Sequence, residues 1–218
     1  RETVEKVEKM KVCTCLNPLH TALAIFGCLL GYTSIAEEMK DPALLKLVEG
    51  LGYTEGLPVV VHPGIMEPKA FLDTVLQERF PNPFMPDSPQ RIATDTSQKL
   101  SVRFGETVKA YRKRTDLQLS SLTLIPLVFA GWLRYLMGID DEGNPFTPSP
   151  DPVLGTVSPL LADYCLDGSA KDLRLLSNEK LFGIDLHEAG LAGKVKQYFT
   201  ELTACPGAVR TTLEKYTA

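Results

Sequence analysis

Asn17, His20 and Lys11 are the residues of this 218-residue chain best placed to do chemistry. Asn17 and His20 stand three apart, so a helix turns both to one side, and Lys11 lies six residues before the asparagine. The run after His20 is almost wholly apolar until Gly31, the pattern of a buried helix ended by glycine. An amide, an imidazole and an ammonium therefore open a core helix, where each must be paired or put to use. A purely structural reading makes Asn17 the helix cap, Pro18 the first helical residue and His20 a packing group. A third reading gathers Cys13, Cys15 and His20 around a metal, but a fourth ligand is not evident and buried structural thiols are the simpler account.

The elements that must position these groups read as helices. Val4, Val7 and Met10 recur at helical spacing and lead into the motif. Asp41-Pro42 opens a helix through Val48. Glu67 to Phe80 carries Phe71, Leu72, Val75 and Leu76 on one face. Gly50 to Gly64 is broken by glycine and proline; Val59-Val60-Val61 could be a strand but has no evident partner, so a loop or irregular helix is expected. The run from Pro81 to Pro89 cannot be regular, because proline removes donors and restricts its neighbours. Leu100, Phe104, Val108 and Tyr111 form a stripe on a helix whose other face, with Arg103, Glu106 and Arg112, reads as solvated charge. A long helix from Leu117 to Met137 is expected to be bent or interrupted near Pro126. Beyond Pro150, helical stretches alternate with glycine stops. The expected fold is mainly α, one multi-helix domain spanning residues 1–218.

Composition narrows the function classes. The hydrophobic share of 44% and charged share of 23% are those of a globular protein. A net charge of −4 lacks the basic footprint of a nucleic-acid binder. The most apolar window, Leu122 to Met137, is shorter than a bilayer requires and contains Pro126 and Arg134, so no membrane partner is expected. Five cysteines without paired zinc spacing favour a reducing cytoplasm. No secretory leader pattern opens the chain. Its start, Arg1-Glu-Thr-Val-Glu without an initiating methionine, is that expected for part of a longer polypeptide.

Lys, Asn and His ahead of an apolar helix resemble the catalytic helix of the long-chain polyol dehydrogenases, the mannitol 2-dehydrogenase and fructuronate (mannonate) reductase group. The resemblance continues at Arg79-Phe-Pro-Asn-Pro83, at Arg91-Ile-Ala-Thr-Asp-Thr-Ser-Gln-Lys99 and at Trp132-Leu-Arg-Tyr135, covering most of residues 9–152. It implies an NAD-dependent enzyme, without a metal, interconverting a secondary alcohol and a ketone on a polyol or hexuronate. Mannonate and fructuronate are slightly favoured, mannitol and fructose next. Lys11 would be the acid/base, which requires a lysine whose pKa is lowered by burial and nearby positive charge. Asn17 would donate to the developing alkoxide, and His20 would orient a neighbouring hydroxyl. Arg91 and Lys99 would contact substrate hydroxyls or a carboxylate. Asp95 reads as a cap or ion partner, and Trp132, Arg134 and Tyr135 as packing plus one interior charge.

One departure matters. The family lysine stands five residues before the asparagine, and here that position is Val12. On a straight helix Lys11 would face away from His20, so a π-bulge or a break at Pro18 is needed to restore a common face; Lys9 is the fallback. The competing function is a helical binding module without catalysis.

No strand, Gly-x-Gly-x-x-Gly turn and helix occurs in this sequence; Gly190 and Gly193 lack the strand and the spacing. The resemblance thus implies that the dinucleotide is held by an N-terminal Rossmann domain. The chain alone should show no tight NADH binding in calorimetry and no dehydrogenase activity; micromolar binding would contradict this.

Overall fold

Pro18 decides the shape of the first helical run. It has no amide hydrogen, and its ring crowds the carbonyl four residues back. Hence α1 (Glu2–Met10) cannot pass into α2 (Asn17–Leu29) as one regular helix. In the computed structural model, which describes residues 1–161, 165–169 and 173–218, the join is a π turn, Lys11–Cys15. Leu16 comes next with φ −137° and ψ −65°. Its N–H reaches the Lys11 carbonyl, five residues back, at 3.2 Å, the bond that marks a π turn. α2 then buries Leu19 and Ala22 to Phe26 completely. It stops at Leu29, with Gly31 at φ +78° beyond its end, a conformation cheap only for glycine.

α3 (Ile35–Glu38) and α4 (Pro42–Glu49) come next. Asp41 caps α4, accepting the Ala43 N–H at 2.9 Å and the Leu44 N–H at 3.4 Å. The glycine-broken segment is irregular helix, a π turn at Gly50–Gly56 running into a 3₁₀ turn at Leu57–Val59. α5 (Pro68–Thr74) continues through a π turn, Val75–Arg79. After the proline-rich loop, Ser88 caps the short α6 (Pro89–Ile92). A further π turn, Ser101–Gly105, leads into α7 (Glu106–Lys113).

The expectation for residues 117–137 needs correction. No bent helix crosses Pro126: α8 is Leu124–Leu136, preceded by a 3₁₀ turn at Leu119–Ser121. Pro126 sits in the first turn of α8, where an N–H has no partner within the helix and proline costs nothing. The end itself is satisfied from afar. Glu55 accepts the N–H groups of Thr123 at 2.6 Å, Leu124 at 2.7 Å and Ile125 at 2.8 Å. Every residue of α8 is buried. Gly131 lets α2 approach it, because a Cβ there would lie 2.5 Å from Phe26 Cζ.

α9 (Leu154–Leu161), α10 (Glu179–Phe182), α11 (Ala192–Leu202) and α12 (Ala208–Tyr216) complete the fold. α11 packs along α8, and α12 lies against α11 and α4. One apolar core runs from Met10 to Leu213. The protein is 63% helical, and the described residues contain no strand, only an isolated bridge between Ile139 and Pro145. As expected, Trp132 and Tyr135 are packing groups and Arg134 an interior charge. Arg134, 1% exposed, donates to the carbonyls of Leu202 at 3.2 Å, Asp140 at 2.8 Å and Ile139 at 2.5 Å. The run Glu2–Leu29 is long and apolar enough to cross a membrane, yet 72% of its apolar window is buried inside the protein. That surface is already spent on the core.

Because Glu55 alone serves three buried donors, Glu55→Ala should lower unfolding stability by about 3 kcal/mol and Glu55→Gln by about 1 kcal/mol. Urea denaturation of the three proteins measures both; equal stability of Glu55→Ala and the parent would show that α8 needs no cap.

Candidate active site

Leu16, not Asn17, occupies the capping position of α2, and no side chain caps that end. The Asn17 amide is therefore left unspent: its backbone carbonyl accepts the Thr21 hydroxyl at 2.8 Å, while its half-buried side chain has no hydrogen-bond partner among the described residues. The π turn adds one residue to the helical run and Leu16 then leaves helical geometry, the kind of interruption that a common face for Lys11 and His20 requires. Lys11 is half-buried, and its ammonium lies 5.4 Å from the centre of the Phe71 ring. The His20 ring stacks on Phe80 with centroids 5.1 Å apart. Phe71 lies in α5 and Phe80 directly follows its π turn, so Lys11 and His20 each pack against this run. Lys9 does not join them. It is exposed and lines a separate groove of about 240 Å³ with Cys13, Glu106, Lys109 and Lys113.

His20 is nearly enclosed, with 14% of its side chain exposed and Nε2 3.4 Å from Asp87 Oδ2. That nitrogen is buried and has no hydrogen bond. Burial, aided by the positive charges of Arg79, Arg103 and Arg91 and opposed by Asp87, pushes the imidazole down to about 4. His20 is thus neutral at physiological pH and free to accept or donate at Nε2 according to its tautomer.

The second basic pair is close by but internally engaged. Arg91 pairs with Asp87. Lys99 donates to the carbonyls of Ile92, at 3.1 Å, and Thr94, which fastens the turn between α6 and the next π turn. Burial and then the neighbouring Arg103 lower the Lys99 pKa. Asp95 sits in that turn at φ +55°; its N–H donates to the Pro150 carbonyl at 2.9 Å and its own carbonyl accepts the Gln98 N–H at 3.1 Å.

Two residues of the site escape a sequence reading. Asp87 belongs to the proline-rich loop, and the only hint was Arg91 four residues on. Arg103 was expected on a solvated face. Instead the π turn Ser101–Gly105 packs against the π turn Lys11–Cys15 and sends its guanidinium to the Thr21 hydroxyl. Burial lowers its pKa to about 10. Its spacing of four from Lys99 was the available signal.

The metal reading is not assembled. Cys15 is buried with Sγ 3.8 Å from the Pro68 carbonyl, and burial raises its thiol to about 12. Cys13 lines the groove with Lys9, away from His20, and no three potential ligands meet among the described residues.

Fold and motif together define a class, an all-helical domain organised around a Lys–Asn–His helix. The chain belongs to the mannitol dehydrogenase C-terminal domain family, which its residues 3–203 match. It is 58% identical to the D-mannonate oxidoreductase of Thermotoga maritima over 99% of this chain and 40% of that protein. With the D-mannonate oxidoreductase of Escherichia coli the identity is 33%, over 89% of this chain and 38% of the other. Among solved structures, the Pseudomonas fluorescens mannitol 2-dehydrogenase ternary complex with NAD and D-mannitol superposes with a TM-score of 0.81 at 26% identity. That match covers 97% of this chain and 41% of the other. The chain spans about two fifths of the length of these relatives.

His20 carries a stability signature. Its value of about 4 in the folded protein lies below the ordinary 6.5, so as pH falls through 6.5 the unfolded chain takes up the proton first. Stability from this group is full above pH 6.5, declines between 6.5 and 4, and is level below. By pH 4.5 the loss should be roughly 2 kcal/mol. His20→Gln should flatten that part of a stability–pH curve measured by chemical denaturation; an unchanged slope would mean that His20 is protonated in the fold.

Proposed function

We propose that this chain is the substrate-binding and proton-transfer half of an NAD-dependent oxidoreductase that interconverts a secondary alcohol and a ketone on a hexonate or polyol. D-Mannonate and D-fructuronate are favoured over mannitol and fructose. The observation that carries the reading is the unspent polar edge of the first helix: Lys11 without an ion pair, Asn17 without a cap to serve, and His20 with a bare buried nitrogen. Polar groups in such surroundings are expensive unless a ligand completes them. The family membership and the T. maritima relative support the same class of reaction.

In this reading Lys11 takes the hydroxyl proton during oxidation and returns it during reduction. Asn17 donates its amide hydrogen to the oxygen as negative charge develops there. His20, neutral and braced between Phe80 and Asp87, fixes an adjacent hydroxyl. Arg91 and Lys99 hold the loop and add positive charge beside the substrate, each with donors to spare beyond its internal partner. NAD, when bound, supplies or accepts the hydride. No phosphate-binding turn is present in this sequence, so we assign the dinucleotide to an N-terminal Rossmann domain of the same polypeptide. Residues 1–218 act as one domain, a reading supported by the continuous core. The free state of all five cysteines is compatible with a cytoplasmic setting.

In the full-length protein, Lys11→Ala should reduce turnover of D-mannonate by about 10³-fold or more while changing KM less than about threefold, because proton transfer is lost and binding is retained. Lys9→Ala should leave turnover near that of the parent. Near-parental turnover by Lys11→Ala would reject the assignment, and loss in Lys9→Ala alone would move it to Lys9.

A further inference from the structure

We propose that Arg103 is the residue that recognises substrate charge, receiving the terminal carboxylate of a hexonate or hexuronate. The inference rests on the proposed oxidoreductase function and deepens it. Four cations, Arg79, Arg91, Lys99 and Arg103, surround the His20 end of the first helix, and their effects on one another and on His20 place them together. Of the nearby carboxylates, Asp87 is paired with Arg91 and faces His20 at 3.4 Å, while Asp95 and Asp151 act on Lys99. Lys99 is directed into two backbone carbonyls.

Arg79 is exposed and solvated, whereas Arg103 is half-buried. Its guanidinium touches one neutral hydroxyl, that of Thr21, and among the described residues no carboxylate lies within ion-pair distance of it. It is nonetheless buried deeply enough to lose pKa. A guanidinium withdrawn from water without a counter-charge is a poor arrangement for the empty protein. Five N–H donors in a planar fork, one of them used, match a carboxylate in two-point fashion.

Thr21 gives the arrangement its aim. The hydroxyl that accepts from Arg103 donates to the Asn17 carbonyl at 2.8 Å. The guanidinium is thereby fixed one helical turn from the amide proposed to meet the reacting oxygen. A six-carbon acid has its carboxylate near one end and oxidisable carbinol carbons within a few bonds of it. A neutral hexitol fills the same space but leaves Arg103 without its anion. Arg103 therefore separates acids from polyols, and Lys11, Asn17 and His20 serve either.

The test is made in the full-length protein with D-mannonate and D-mannitol as paired probes. Arg103→Gln should lower kcat/KM for mannonate by about 10²-fold, mainly through KM, and change that for mannitol by less than about threefold. Arg103→Lys keeps the charge but not the fork, and should lose roughly tenfold on mannonate alone. Equal losses on both probes, or no loss on mannonate, would overturn the proposal and leave Arg103 as a strut for Thr21. Should Arg103→Gln fail to fold, the same comparison in Arg103→Lys decides. Calorimetric binding of mannonate separates this inference from the redox reading. Binding that weakens in the Arg103 variants, in a protein that turns over neither probe, supports the anion site and rejects the oxidoreductase assignment. Binding that the variants leave unchanged rejects the anion site whatever the turnover.

Discussion

A single displaced hydrogen bond, from the Leu16 N–H to the Lys11 carbonyl five residues back, sets the geometry on which the rest of the protein depends. It exists because Pro18 forbids a regular helix through this point. Its consequences are threefold. The helix gains the extra residue that the spacing of Lys11 and Asn17 calls for. The cap position passes to Leu16, which frees the Asn17 amide. The widened turn also presents Thr14 to the second π turn, where Gly56 is needed because a Cβ would come within 2.8 Å of Thr14 Cγ2. The π turn Lys11–Cys15 packs against both Gly50–Gly56 and Ser101–Gly105, so the irregularity of each is answered by a neighbour. A π turn has poorer packing and hydrogen bonding than the α-helix it interrupts. Two more gathered around the first make an arrangement fixed by tertiary structure rather than by local preference.

Electrostatics divides the molecule into a region that neutralises its charges and one that does not. In the interior away from the candidate site, the charged groups have found solutions. Arg134 is surrounded by carbonyls, Glu55 by helix N–H groups, and Asp41 by Arg210 and the Tyr32 hydroxyl. Glu38 takes another course: fully buried against Gly27 and without a hydrogen-bond partner among the described residues, it has its pKa raised well above the ordinary carboxylate value by burial, which favours the protonated form. Around His20 the neutralisation is incomplete, with an excess of positive charge and a bare imidazole nitrogen. A fold able to satisfy Glu55 across 68 residues of sequence could have paired Arg103 as well. The cations left without a carboxylate lie beside Asn17 and Lys11, which is the arrangement the proposed ligand site calls for.

Much of the fold was legible in the residues. Helical periodicity, the Asp41-Pro42 start, the irregular helix after Gly50 and the interior placement of Trp132 and Arg134 all follow from local rules. So did the requirement for a π-bulge or break, since the offset between Lys11 and Asn17 demanded one. Pro126 misled because proline marks a helix start as readily as a kink. The difference lay in Glu55, a capping partner too distant in sequence to be paired by inspection. Arg103 was misread for a related reason: its face was assigned by α-helical phase from the Leu100, Phe104 and Val108 stripe, and a π turn rotates that phase. Asp87 carried no pattern of its own. The part of the site written on one helix could be read, and the part assembled across helices could not.

The same division governs how such a domain can change substrate. Lys11, Asn17 and His20 share one rigid run whose register is fixed by Pro18, so a substitution among residues 11 to 18 that restores a regular helix would disturb all three together. Arg103 comes from a different segment from Arg91 and Asp87, which pair with each other at the Ser88-capped turn, while Arg103 is held by Thr21. On the proposed roles, charge selection would be altered at Arg103 while Lys11, Asn17 and His20 keep their places. A family whose named relatives include mannonate and mannitol enzymes has the variety expected of that construction. The shared run would preserve the reaction, and the cross-helix cations would decide whether the substrate brings a carboxylate to meet them.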